Sequence, residues 1–443
     1  MGFNTLPFIF IFLPVFLAVY YLMPERLRNG VLTLGSLVFY LLGTWKRPWC
    51  LALLMGLMAL TWLSGRKLAG SKPLLVGNLL VLGLCLFGFK YAGLLGSGIA
   101  LPLGLSFYSF QMAAYVIDVY RGRMEPEECP VSYAAEILMF PKLLSGPLMD
   151  PADLKAQMYR RTCTLRELDA GLRDFIIGLS MKVLLANQIG GLWRQVKTIG
   201  FESVSTPMAW LGLVAYSLQL YLDFCGYSWM AIGVGEMLGF RLPRNFEHPY
   251  AARSMRDFWR RWHISLSSWF RDYVYIPLGG SKKGRTYLNL LVVWLFTGLW
   301  HGSTLNFLLW GLFLFALISL ERLGWGKVLR RSQVISRLYM LLVIPLSWML
   351  FAIPSLKDIG SYIGRLFAFS GGTAVHARDF LVYGRQYAVV LVIGLLVSTP
   401  LPEKLWRRIR TSPLGTVLLL VLFWVCVYCM AVATNDPFMY FSF

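Results

Sequence analysis

A succession of long apolar runs is the sequence feature that most constrains the fold. Hydrophobic residues make up 57% of the 443 residues and charged residues only 14%, whereas a soluble domain carries about 25% charged residues. A helix needs about 20 mostly apolar residues to cross a bilayer. We therefore predict an all-α, polytopic integral membrane protein with roughly ten to twelve transmembrane helices plus re-entrant and amphipathic helices. Spans are expected near residues 6–23, 31–44, 49–64, 74–90, 101–120, 171–191, 207–224, 286–300, 303–320, 336–353, 381–399 and 414–433.

The strongly basic composition is explained by the loops between these runs. The net charge is +20, but the cations are concentrated in short loops, as the positive-inside rule requires of cytoplasmic segments. Arg26, Lys67 and Arg121 follow the first, third and fifth runs, which places the loops after odd-numbered runs in the cytoplasm. Lys46 follows the second run and therefore favours the opposite orientation. We therefore expect a multi-pass protein in contact with the lipid bilayer, with both termini outside, and no nucleic acid partner.

Two interrupted segments and one acid stand out among the apolar runs. The sequence Leu101-Pro-Leu-Gly-Leu predicts a helix that begins part-way into the membrane. Residues 130–150 contain closely spaced prolines and a glycine, which predicts a re-entrant or interfacial element. Asp223 lies near the end of an apolar run, where a buried carboxylate needs a partner; nearby arginines are the expected source. An ion pair within the bundle is favoured over a catalytic acid.

The densest basic cluster lies between residues 253 and 310, with His263 and His301, two of the four histidines. Helical periodicity over residues 254–273 would place Arg256, Arg260, His263, Ser267 and Arg271 on one stripe. His301 closes the apolar run 287–300, and an ionisable group at membrane depth usually faces a cavity or pathway. From these residues alone, a hydrogen-bonded core histidine fits His301 equally well.

Disulfide and metal chemistry are not indicated. The seven cysteines lie mostly inside apolar runs and form no disulfide framework. Cys426 and Cys429 form a CxxC within the last run, where packing is the simpler reading. Two histidines without a nearby set of carboxylates or thiolates do not make a metal site, and we assign no role to His248 or His376.

Several blocks of sequence resemble the membrane-bound O-acyltransferase (MBOAT) family. They are FWRRWHISLSSWFRDYVYIPLGGSKKG (258–284), TGLWHGSTLNFLLWG (297–311), FPKLLSGP (140–147), LDFCGYSWMAIG (222–233) and the closing DPFMYFSF. The resemblance is strongest to the bacterial branch that acetylates exported polysaccharides such as alginate. Trp229 and Cys225 depart from the family's usual acid and serine, so no role is carried over to that segment.

The resemblance implies a fold, a domain organisation and a reaction. Many helices would surround a central funnel or tunnel, in one membrane-embedded acyltransferase domain covering residues 1–443 in a bacterial inner membrane. The catalytic core would occupy about 220–311, and the tail 434–443 would lie at the outer face. An acetyl or similar short acyl group would pass from a cytoplasmic thioester, acetyl-CoA or an acyl carrier protein, towards hydroxyls of an extracellular polysaccharide. No bound cofactor is implied, and an extracellular SGNH-type acyltransferase would be the partner.

The resemblance also assigns roles to individual residues. The family's catalytic histidine maps onto His301, as the general base, and an upstream polar position maps onto His263, which would orient the donor or stabilise the carbonyl oxygen. Arg256, Arg260 and Arg271 would bind the phosphates of the donor, because guanidinium groups hold phosphate in a bidentate fork. Positive-inside anchoring fits these arginines equally well. The remaining donor-binding candidates are Trp259 and Trp300.

Tyr440, in the closing FMYFSF, is a candidate acyl carrier or a docking point for the partner, because a phenolic hydroxyl can carry an ester. An interfacial aromatic belt explains the same residues without chemistry.

Two other functions remain open from the sequence. D-alanyl transfer to teichoic acid from a carrier protein is the alternative within the enzyme class. A membrane transporter or flippase is the alternative from another class, although the sequence shows neither an internal repeat nor paired half-helices.

Overall fold

The computed structural model describes residues 2–95, 99–282, 284–367 and 378–433, and this part of the chain is built from helices without strands. The predicted all-α class is confirmed. The helices are α1 (Phe8–Leu22), α2 (Arg28–Thr44), α3 (Trp49–Gly65), α4 (Lys72–Tyr91), α5 (Leu105–Tyr120), α6 (Pro130–Leu138), α7 (Phe140–Leu143), α8 (Pro151–Arg160), α9 (Leu165–Ile199), α10 (Thr206–Met237), α11 (Met255–Trp259), α12 (Ile264–Phe270), α13 (Thr286–His301), α14 (Leu305–Arg331), α15 (Gln333–Ala352), α16 (Leu356–Phe367), α17 (Asp379–Val397), α18 (Pro400–Ile409) and α19 (Pro413–Val432).

Within those residues, seven helices are long and apolar enough to cross a bilayer: α4, α9, α10, α14, α15, α17 and α19. Two shorter apolar helices, α1 and α3, accompany them. Many of the large apolar side chains on these helices are exposed in the isolated chain, as expected of surfaces that face lipid. The chain is therefore a multi-pass membrane protein.

The two interrupted segments contain a helix that begins late and two short helices. Helix α5 begins only at Leu105, after Gly104 in the left-handed region with φ 73°, and a Cβ at Gly104 would lie 2.8 Å from the carbonyl oxygen of Leu143. Only glycine accepts both constraints without strain. Residues 130–150 contain α6 and α7, of nine and four residues, which are too short to span a bilayer.

The chain divides into two compact units, Met1–Gly178 with Tyr227–Arg244, and Leu179–Gly226 with Asn245–Phe443. In the first unit, the ring of Phe140 packs edge-on against Phe12 and Phe16, with centroids 5.4 and 5.2 Å apart. Gly171 and Gly233 let α9 and α10 touch, because a Cβ at either would lie within 2.5 Å of the other's carbonyl oxygen. Aromatic packing and close helix contact together build this unit.

A buried ion pair joins α9 to α10 in the second unit. The Nζ of Lys182 lies 2.6 Å from Oδ1 of Asp223, and both side chains are 2% exposed. The expectation that an arginine would pair with Asp223 is wrong. The partner is a lysine in the interior of α9, and α10 continues beyond Asp223 to Met237, so this carboxylate is far from the basic loops.

Helices α13 and α14 make the closest helix contact near His301. A Cβ on Gly298 would lie 2.6 Å from the carbonyl oxygen of Phe307, and one on Gly311 would lie 2.4 Å from that of Trp294. Both contacts are to backbone, which cannot rotate away. The two glycines therefore set the position of His301, the last residue of α13.

We expect Gly298→Val to destabilise the protein because the added side chain must separate α13 from α14. The cost should be about 1–3 kcal/mol beyond that of Gly83→Val, a matched control in α4 where a Cβ meets nothing within 4 Å. The measurement is the melting temperature of both variants in the same detergent. Equal melting temperatures would show that the α13–α14 contact is not tight.

Candidate active site

The single helix predicted over residues 254–273 is wrong. Helix α11 ends at Trp259, α12 begins at Ile264, and His263 between them is left-handed with φ 43°. The cause is Asn245, whose backbone carbonyl accepts the N–H of Ile264 (2.9 Å) and whose Oδ1 accepts the hydroxyl of Ser265 (2.6 Å). These hydrogen bonds from a residue distant in sequence override the local helical periodicity. His263 is thereby removed from the expected polar stripe.

His263 is instead buried against α10. Its side chain is 2% exposed, and its ring lies edge-on to Phe224 with centroids 4.7 Å apart. Neither ring nitrogen hydrogen-bonds to a protein group in the part of the chain that the structure describes. Burial lowers the pKa of His263 to about 3, so the imidazole is neutral at physiological pH.

His301 is partly exposed and enclosed by aromatic rings. The centroids of Trp310 and Phe351 both lie 5.0 Å from the imidazole, with planes at 89° and 81°. The adjacent Trp300 lies at 4.5 Å. This is a partly accessible imidazole in an apolar enclosure, which is an environment suited to accepting a proton from a hydroxyl.

A cavity of about 960 Å³ lies in the second unit, and we call it the basic cavity. One side comes from α11, α12 and the following π-helical turn (Arg271–Tyr275), and the other from α13 and the end of α14. Its charged lining residues are Arg253, Arg256, Asp257, Arg260, Arg271, Glu321, Arg322, Lys327 and Arg330.

The positive charge of this cavity is largely uncompensated. Arg271 is neutralised by Asp272, which it meets at 2.7 and 2.8 Å. Asp257 pairs with Arg261, which does not line the cavity. No other cationic side chain of the lining forms an ion pair with a described carboxylate. A concave site with unpaired cations concentrates anions, so the cavity is suited to an anionic ligand.

Tryptophans separate the basic cavity from His301. Trp259 and Trp294 line the cavity, and their ring centroids are 4.9 Å apart. Trp310 packs behind them, 5.9 Å from Trp259. Thr297, one helical turn before His301, also lines the cavity, whereas His301 does not. Two aromatic layers, Trp259 with Trp294 and then Trp310, therefore lie between this wall of the cavity and the imidazole.

The structure brings together part of the expected site. Arg256, Arg260, Arg271 and Trp259 line one cavity, but Trp300 is buried beside His301 and outside it. His263 contacts neither the cavity nor, by any described ring contact, His301. Tyr440 lies outside the described residues. The described part of the chain contains no cluster of metal-binding side chains.

Sequence reasoning missed the second basic wall of the cavity, formed by Arg322, Lys327 and Arg330. The signal was present as three cations within nine residues after an apolar run. The positive-inside rule accounts for such a cluster without a site, so the sequence alone does not indicate that these cations line a cavity.

Comparison with known proteins adds a family match and full-length relatives. Residues 129–357, more than half of the chain, match the family model MBOAT, membrane-bound O-acyltransferase family. The chain is 33% identical to the probable alginate O-acetylase AlgI of Pseudomonas putida over the whole of both proteins. It is 37% identical to the probable alginate O-acetylase AlgI of Pseudomonas aeruginosa, covering 90% of this chain and 81% of the relative. It is 31% identical to the peptidoglycan O-acetyltransferase of Helicobacter pylori, covering 86% and 83%.

Proposed function

Because this chain belongs to the membrane-bound O-acyltransferase family and is an O-acyltransferase, we propose that it passes acetyl groups from a thioester bound in the basic cavity to hydroxyls of an exported polysaccharide. The named substrates of its relatives, alginate and peptidoglycan, support a polysaccharide acceptor. The observation that carries the proposal is the basic cavity, whose lining includes Thr297, one helical turn before His301.

The donor is a thioester with a phosphorylated arm, such as acetyl-CoA or a phosphopantetheine-bearing carrier protein. Arginine binds phosphate through two parallel hydrogen bonds, and Arg256 and Arg260 are free of ion pairs with described carboxylates. Arg271 is the weaker candidate because Asp272 already occupies its guanidinium. Binding at the phosphates would leave the flexible thiol arm to reach past Trp259 and Trp294 towards His301.

His301 acts as the general base. As the acceptor oxygen attacks the thioester carbonyl, the imidazole takes the hydroxyl proton, and a C–O bond forms while negative charge develops on the carbonyl oxygen. Collapse of this intermediate breaks the C–S bond, and the imidazolium returns the proton to the leaving thiolate. His263 is proposed to orient the donor or to stabilise the carbonyl oxygen, which is supported by its two ring nitrogens without protein partners.

The acyl group is proposed to pass from the cytoplasmic face of the membrane to the outer face. The donor enters from the cytoplasm, where the positive-inside rule places the basic loops around α11 and α12, and both termini face outwards. An extracellular SGNH-type transferase receives the acyl group or completes the transfer, with Tyr440 as acyl carrier or docking point. The whole chain acts as one acyltransferase domain in a bacterial inner membrane.

We expect Arg260→Gln to raise the KM for acetyl-CoA by about tenfold or more, because a charge-assisted hydrogen bond contributes about 1.5–3 kcal/mol. The value of kcat should change little. The measurement is the initial rate of acetyl transfer from labelled acetyl-CoA by membranes that contain the full chain and its acceptor system.

The matched control is Arg407→Gln, which removes an arginine from another basic segment. Arg407 pairs with Glu403 at 2.5 Å, and both residues lie outside the cavity lining, so the KM should stay at the wild-type value. Equal effects of the two substitutions would show that the arginines act only through general membrane anchoring.

A further inference from the structure

Glu321 lies in the basic cavity, yet among the described residues its carboxylate forms no direct salt bridge with the surrounding cations and acts on Arg256 only through space. Its carboxylate is directed at the backbone of α11 instead. The N–H of Met255 donates to Oε1 of Glu321 at 2.6 Å, and the N–H of Arg256 donates to Oε2 at 3.3 Å. A carboxylate among arginines would ordinarily neutralise one of them. Here its oxygens accept hydrogen bonds from α11 and so connect the α14 wall of the cavity to the α11 wall.

Helix α11 has little stability of its own. It contains five residues, fewer than an isolated helix needs to form in water. Ser254 accepts the N–H of Asp257 at 3.1 Å, and Glu321 satisfies two further N–H groups at the same end. The first-turn N–H groups of α11 thus depend on a side chain from α14, because these groups have no partner within a helix.

The end of α14 that carries Glu321 is shaped to hold it. Residues 321–325 form a π-helical turn with a kink at Gly324, whose φ is 147°. A Cβ on Gly326 would lie 2.7 Å from the carbonyl oxygen of Glu321, so the chain packs closely on itself at this point. The same kinked segment contributes Arg322, Lys327 and Arg330 to the cavity.

We propose that Glu321 is a positioning residue for donor binding, which holds α11 against α14 so that Arg256 and Arg260 face the second basic wall. This inference rests on the proposed function, because it concerns the same donor cavity. Since both carboxylate oxygens bind backbone N–H groups, Glu321 joins the two walls without a direct salt bridge to the guanidinium groups of Arg256 and Arg260.

The substitution Glu321→Gln separates positioning from simple electrostatics. Glutamine keeps the size of the side chain and one carbonyl oxygen, but its amide nitrogen cannot accept the N–H of Arg256. Removing a negative charge from a basic cavity should by Coulomb's law strengthen the binding of an anion. Loss of positioning should weaken it, because Arg256 in α11 and Arg260 directly after it are no longer held in place. The two effects have opposite signs.

The experiment measures the dissociation constant of coenzyme A for the full chain in nanodiscs, by titration calorimetry, together with KM and kcat for acetyl-CoA. We expect Glu321→Gln to weaken coenzyme A binding about tenfold and to raise KM equally, with kcat near the wild-type value. The control is Glu403→Gln, the same substitution at a residue that pairs with His248 at 2.9 Å outside the cavity. Its dissociation constant should match that of the wild type.

Each other outcome overturns the inference. Unchanged or tighter binding by Glu321→Gln would show that Glu321 acts only through its charge or not at all. A lower kcat with an unchanged KM would assign Glu321 a purely structural role. Wild-type protein that does not bind coenzyme A would overturn the donor cavity as well. If Glu321→Gln binds coenzyme A as the wild type does while His301→Ala has lost acetyl transfer, this inference is overturned and the proposed function stands.

Discussion

Replacing His301 by alanine is expected to lower the rate of acetyl transfer by about 10²- to 10⁴-fold, the usual contribution of a positioned general base. The acceptor hydroxyl would then keep its proton as it attacks, so the barrier rises although the thioester still binds. The ring packs against both Trp310 and Phe351 at 5.0 Å from each, and no other histidine ring contacts this aromatic enclosure among the described residues. The measurement is the transfer of label from acetyl-CoA to polysaccharide in membranes.

The control for this substitution is His248→Ala, which removes a histidine that pairs with Glu403 outside the basic cavity. Its transfer rate should stay within a few-fold of the wild type. Transfer by His301→Ala at a rate close to that of His248→Ala would show that His301 is a core histidine. A transporter would still move its solute after His301→Ala, so loss of acylation in a normally folded variant also separates these two functions.

The second large effect is expected at the buried ion pair. Asp223→Ala should destabilise the protein by about 3–5 kcal/mol, because it leaves the ammonium of Lys182 buried without its counter-charge. That ammonium is 2% exposed and lies 2.6 Å from the carboxylate. The measurement is the melting temperature in detergent, together with the yield of monodisperse protein on size-exclusion chromatography.

Removing both charges should restore most of this loss. A Lys182→Met and Asp223→Leu double variant replaces the pair by apolar side chains of similar size, a change that is often neutral or stabilising. We expect its melting temperature to return towards the wild-type value and its acetyl transfer to persist, because the pair is structural. A folded but inactive double variant would instead give Asp223 a part in the reaction.

Some elements of this fold were predictable from the sequence and others were not. The late start of α5 was predictable because its causes, Pro102 and Gly104, are local. The break between α11 and α12 was not, since Asn245 imposes it through hydrogen bonds from about twenty residues away. The spacing of the apolar side chains over 254–273 is compatible with one continuous helix, and nothing local opposes it.

The candidate site likewise contains residues that the sequence predicted and residues that it did not. Arg256 and Arg260 were expected on a common surface from their spacing of four residues, and both line the basic cavity. Lys327 and Arg330 follow the kink of α14 at Gly324, and they line that cavity together with Arg322. A positive φ at a single glycine inside a helical run has no signature in the pattern of apolar residues, so this wall became visible only in three dimensions.

The central claim is that donor binding and proton transfer are served by different residues, the basic cavity and His301. It is tested most directly by measuring coenzyme A binding and acetyl transfer on one preparation of His301→Ala in nanodiscs. Because His301 lies outside the cavity lining, the dissociation constant should equal that of the wild type while transfer is lost. Transfer that persists at the wild-type rate, or binding that disappears together with transfer, would contradict this division of labour.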